Sequence, residues 1–201
     1  MLFSTMLLGW LGILIYLIII STYQKLMNSN EYAFLHLLMA IMYATWLPLP
    51  IVLFQLLDSN VLIVGTVFGT VYLVLLVLGM TLQTGHIVFI TKFNETDAIT
   101  DSQANYIMST LSHPYESVVN IFKCVWAIFL GLTFWQNEEV FMASLMFLFG
   151  LFFFYYLFIA LDASLIKRIK LFEKMKANSF LVNFETLFFF VILFSYITFK
   201  F

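Results

Sequence analysis

Long apolar runs of about twenty residues alternate along this chain with much shorter polar ones, the pattern expected of helices that cross a bilayer. The apolar runs cover residues 2–22, 32–57, 61–82, 115–135, 140–161 and 180–199. Inside them the hydrophobic residues are contiguous and do not alternate with period two. That selects helices over the strands of a membrane barrel. The expected fold is all-α: a polytopic integral membrane bundle of six transmembrane helices, forming a single membrane domain over 1–201.

The polar separators differ in length and charge. Gln24 to Glu31, Asp58 to Asn60 and Gln136 to Glu139 read as short turns. Residues 91–114 form a longer, mostly acidic loop. Residues 162–179 carry Lys167, Arg168, Lys170, Lys174 and Lys176, five of the nine basic residues. Basic residues beside membrane spans stay on the cytoplasmic side, so this segment predicts an inward face for itself and for the 91–114 loop. With six spans, both termini are then expected outside (N-out/C-out), in the cell membrane. Leu165, Ile166, Ile169, Phe172 and Met175 recur at steps of three and four between the basic residues. A helix of this kind lies on a membrane surface, and Lys167, Arg168, Lys170 and Lys174 are the expected contacts to anionic lipid headgroups.

Composition agrees. About 63% of residues are hydrophobic and 10% charged, against roughly 25% charged in a soluble domain. The net charge of −2 gives no reason to expect a nucleic-acid partner. The lone Cys124 excludes an intramolecular disulfide and any cysteine-based metal motif. The first run has no basic residue before it and no small-residue cleavage pattern after it, so it reads as a retained span and not as a signal peptide.

Some residues inside the runs set local geometry. Pro48 and Pro50 each lack a backbone donor and clash with the preceding turn, so the second span is expected to kink. Gly65 and Gly69 form a small-xxx-small pair for close helix packing, within the chain or with another copy. Gly9 and Gly12 would do the same for the first span.

Candidate chemistry is confined to a few polar residues. In the predicted topology His36, His86, Asn120, Lys123, Asn183 and Glu185 all lie towards the cytoplasmic ends of their spans, where they could surround one polar site. Lys123 and Glu185 are the natural ion pair. The competing reading has Lys123 reaching its ammonium to the headgroups and Glu185 sitting at the water boundary. His36, His86 and His113 lack the close spacing of a metal motif, so neither a metal nor any other cofactor is expected. No hydrolase, nucleotide-binding or protease motif occurs, and Asn94-Glu95-Thr96 has a glycosylation pattern on the predicted inner side.

The sequence therefore favours a non-catalytic subunit, scaffold or accessory factor of a membrane complex. Its partners would be the bilayer, anionic headgroups, and a membrane protein or a second copy. The alternative is a small transporter or channel using Lys123, Glu185, His36 and His86. An intramembrane metal- or haem-dependent enzyme has least support.

Overall fold

The computed structural model describes residues 1–93, 102–103, 106, 110, 113–165 and 178–201. The headgroup residues Lys167, Arg168, Lys170 and Lys174, and most of the 91–114 loop, lie outside them. All regular structure in the described residues is helical. The helices are α1 (Leu2–Asn28), α2 (Tyr32–Trp46), α3 (Leu49–Leu57), α4 (Leu62–Phe93), α5 (His113–Gln136), α6 (Val140–Ser164) and α7 (Ser179–Lys200). By length and apolarity they make six membrane spans, with α2 and α3 forming one broken span over Tyr32–Leu57. The protein is a multi-pass, all-α membrane protein.

The break follows from the two prolines. Pro48 has no N–H for the Ala44 carbonyl, and Pro50 has none for that of Trp46. The Ala44 carbonyl instead accepts from Leu47 N–H at 3.3 Å, a tighter turn, and the helix restarts with Val52 N–H donating to Pro48 at 3.1 Å. Trp46, at the break, is completely buried.

Helix ends depart from the apolar runs because a helix persists for as long as its backbone is satisfied. α1 continues through Gln24 and Lys25 to Asn28, where the sequence reads as a turn. Lys25 lies in its last turn, where a cation complements the helix dipole. The chain reverses at Asn30, with φ 57°, a conformation that asparagine tolerates better than most residues. α4 has 32 residues, about 48 Å at 1.5 Å per residue, so it outruns a hydrocarbon layer of about 30 Å. At α7, the Asn178 side chain accepts from Phe180 and Leu181 N–H, at 3.1 and 3.2 Å, capping two donors at the helix start.

The spans pack as a ring. α1 contacts α2, α2 contacts α4, α4 contacts α5, and α5 contacts α6. α7 closes the circle. It packs on α1 and reaches α6 through Phe149–Phe189 and Tyr156–Glu185. Two glycine positions fix the α4–α5 approach. A Cβ on Gly65 would sit 2.6 Å from Phe129 Cβ, and one on Gly69 would sit 2.5 Å from the Trp126 indole. The small-residue pair is therefore occupied within the chain. Aromatic rings fill the middle: Phe190 of α7 stacks on Trp46 at 3.9 Å and meets Tyr72 and Trp126 at 6.3 and 6.4 Å. The outer surface is apolar, as with the exposed Phe180, Phe184 and Phe188 along one side of α7.

Candidate functional site: a buried lysine–glutamate cluster

Each member of the cluster sits on the inward face of its helix. On α5 that face carries Val119, Asn120, Lys123, Trp126, Ala127, Leu130 and Phe134, at helical spacing. Lys123 is therefore held inside the bundle by the same periodicity that buries its apolar neighbours. On α7 the inward face carries Glu185, Thr186, Phe189, Phe190, Leu193 and Phe194. The two faces meet, and Lys123 Nζ forms an ion pair with Glu185 Oε2. The exposures of these two side chains, 0% and 2%, exclude a lysine that reaches out to the headgroups.

Further contacts complete the cluster. Lys123 Nζ also donates to Thr186 Oγ1 at 3.0 Å. Tyr156 of α6 donates its hydroxyl to Glu185 Oε2 at 3.0 Å. The ammonium lies 5.3 Å from the Tyr156 ring centre and 5.8 Å from that of Tyr72 on α4, within the range at which a ring face attracts a cation. Tyr16 of α1 donates to the Asn183 carbonyl at 2.8 Å, one turn before Thr186. Three further spans, α1, α4 and α6, thus contact the ion pair directly or through α7, and Trp46 at the proline break contacts it through Phe190.

The cluster lies deep. Lys123 is ten residues into α5 and Glu185 six residues into α7, about 15 and 9 Å from the helix starts. At such depth an ionised group needs a counter-charge, and each partner here offsets the other's lost hydration.

Three polar groups of the cluster are not satisfied. Among the described residues, Glu185 Oε1 and Trp126 Nε1 are fully enclosed and have no hydrogen-bond partner. The Tyr72 hydroxyl lies towards Thr186 but makes no well-formed hydrogen bond.

The other sequence candidates do not touch the ion pair in any contact described. Asn120 donates to the Glu116 carbonyl of its own helix at 2.8 Å. The nearby Gln83 of α4 approaches Glu116 Oε1 at 3.5 Å. His36 Nδ1 bonds the Tyr32 carbonyl at 2.7 Å, so that nitrogen carries the proton. The His86 ring lies 5.9 Å from that of Tyr106. Asn183 contributes its carbonyl, while the residue itself is exposed. Of the six candidates, the structure joins Lys123 and Glu185 in one cluster and gives the others local contacts. Among the described residues, no three His, Cys, Asp or Glu side chains are grouped as metal ligands.

Sequence reasoning missed Tyr156, Thr186, Tyr72 and Trp126. Thr186 was signalled by its place next to Glu185 on a helix. Tyr156 sits in the aromatic run from Phe152, where composition does not separate inward from outward rings. Compared with known proteins, the chain matches no family model, no curated protein and no solved structure.

Proposed function

We propose that the protein is a small transporter of the cell membrane, with the Lys123–Glu185 cluster as its central site. One observation carries this reading: a fully buried ion pair lies about two to three turns inside its helices, enclosed by the other spans, beside a proline-broken span. Transporters commonly place their sites near the membrane midplane and use discontinuous helices there. Trp46 at the break stacks on Phe190, one helical turn from Thr186. Movement at the break would therefore be felt at the ion pair.

The transport reading requires water to reach the cluster at some stage. In a Cys124→Ser background, Thr186→Cys is expected to react slowly with a small water-soluble thiol reagent in sealed vesicles, from both faces. Complete protection from both sides would reject transport. It would favour the second reading, a non-catalytic subunit or accessory factor in which the cluster only clasps helices together. That reading is supported by how tightly the aromatic rings enclose the pair.

The proposed orientation has both termini outside and the 162–179 segment inside, on the basis of its five basic residues. In the same background a cysteine replacing Lys170 should resist a membrane-impermeant thiol reagent in intact cells and react after permeabilisation. Labelling in intact cells would invert the arrangement.

A further inference from the structure

The cluster encloses hydrogen-bond donors and an acceptor that do not meet. The donors are the three N–H bonds of Lys123, the hydroxyls of Tyr156 and Tyr72, and the indole N–H of Trp126. Glu185 is the charged acceptor, and its Oε2 already takes Lys123 and Tyr156. Trp126 Nε1 can only donate, yet it is enclosed without a partner. Glu185 Oε1 is an acceptor enclosed without a donor. The Tyr72 and Trp126 rings both lie against Phe190. A buried polar group is ordinarily paired, and leaving one unpaired is costly.

We infer that the cluster binds a small monovalent anion together with one proton. The proton goes to Glu185 Oε1. The anion takes over the Lys123 ammonium, with the Trp126 N–H and the Tyr72 hydroxyl as further donors. Charge balances in both states. The empty site holds one ammonium and one carboxylate. The occupied site holds one ammonium, one anion and one neutral carboxylic acid. Neither state leaves a net charge in the membrane interior, where an unbalanced charge is expensive. An anion without the proton would leave two negative groups beside one ammonium. The proton without the anion would leave the ammonium alone. The two ligands are therefore coupled, and each must raise the affinity for the other.

The other titratable groups near Glu185 are the tyrosines Tyr16, Tyr43, Tyr72 and Tyr156 and the thiol Cys124. All of these are neutral acids at ordinary pH, so Lys123 and Glu185 are the charged groups of the cluster. The inference rests on the transport reading for its purpose, but the binding it describes is tested separately.

Formate is a suitable probe. Isothermal titration calorimetry of the full chain in detergent, repeated in two buffers of different ionisation heat, counts the protons taken up per formate bound. The expected count is about one, with affinity rising up to about tenfold for each unit that the pH falls. Lys123→Met should abolish formate binding. Glu185→Gln mimics the protonated acid, so it should bind formate with no proton uptake and with an affinity independent of pH. Wild-type protein that binds no formate at neutral or mildly acidic pH, or binds it without proton uptake, overturns the proposal whatever the variants do. Anion binding by a protein whose Thr186→Cys variant is wholly protected would retain this site and reject transport. Water access without formate binding would do the reverse.

Discussion

Lys123→Met alone is expected to destabilise the folded protein by about 3–5 kcal/mol, and Glu185→Gln alone by a similar amount. The reason is burial. Both side chains are enclosed, and removing one leaves the other without its counter-charge in a low-dielectric interior. Lys123→Met would leave Glu185 with the Tyr156 hydroxyl as its remaining hydrogen-bond donor. Glu185→Gln would leave the ammonium with Thr186 and two ring faces. The double variant removes both charges and should recover much of either loss. Apolar or neutral replacements of a buried pair are often tolerated where single ones are not. Thermal unfolding of the four proteins, from wild type to double variant, yields the coupling energy directly. Losses that simply add would show that the two residues do not act as a pair. The cycle also separates structure from activity: a double variant that folds but no longer binds formate assigns the pair to the site, and one that still binds formate assigns it to holding the helices.

The spans themselves were legible in the sequence because their signal is a bulk property. Twenty contiguous apolar residues cross a bilayer wherever they occur. Pro48 and Pro50 announced the break for an equally local reason, the loss of two backbone donors. Lys123 and Glu185 were legible as a pair because an ionisable residue within a span has few tolerable surroundings. What stayed hidden depends on rotation about the helix axis. His36 and Asn120 lie at plausible depths, but each spends its hydrogen bond on a carbonyl of its own helix. Tyr156 and Tyr155 are adjacent in sequence, yet one meets Glu185 and the other accepts from the Asn178 N–H. Nothing in a run of phenylalanines and tyrosines distinguishes them, because every face of a membrane helix is apolar. Gly65 and Gly69 show the same limit. Their spacing promises a close contact, but only the packing identifies Phe129 and Trp126 as the neighbours.

Trp46 is where the broken span, the first span and the last span are tied together, so its truncation should be among the most damaging apolar changes. Trp46→Ala is expected to cost about 3–5 kcal/mol, the usual range for deleting a buried indole. The side chain is completely enclosed and stacks on Phe190 at 3.9 Å, with Tyr43 edge-on at 5.7 Å. Its indole N–H donates to the Gly9 carbonyl on α1 at 3.2 Å. Gly12 is essential to that arrangement, since a Cβ there would overlap the indole nitrogen. Trp46→Phe should cost less, about 1–2 kcal/mol, since it keeps a ring against Phe190 and loses mainly the hydrogen bond and some volume. Unfolding midpoints of the two variants test the ranking; equal losses would assign the effect to the hydrogen bond instead of the ring. Their formate affinities then read the link from the break to the cluster. If the break positions Phe190 and α7, Trp46→Ala protein that remains folded should bind formate more weakly than Trp46→Phe. Undiminished binding by the alanine variant would disconnect the proline break from the ion pair and leave the break a purely structural bend.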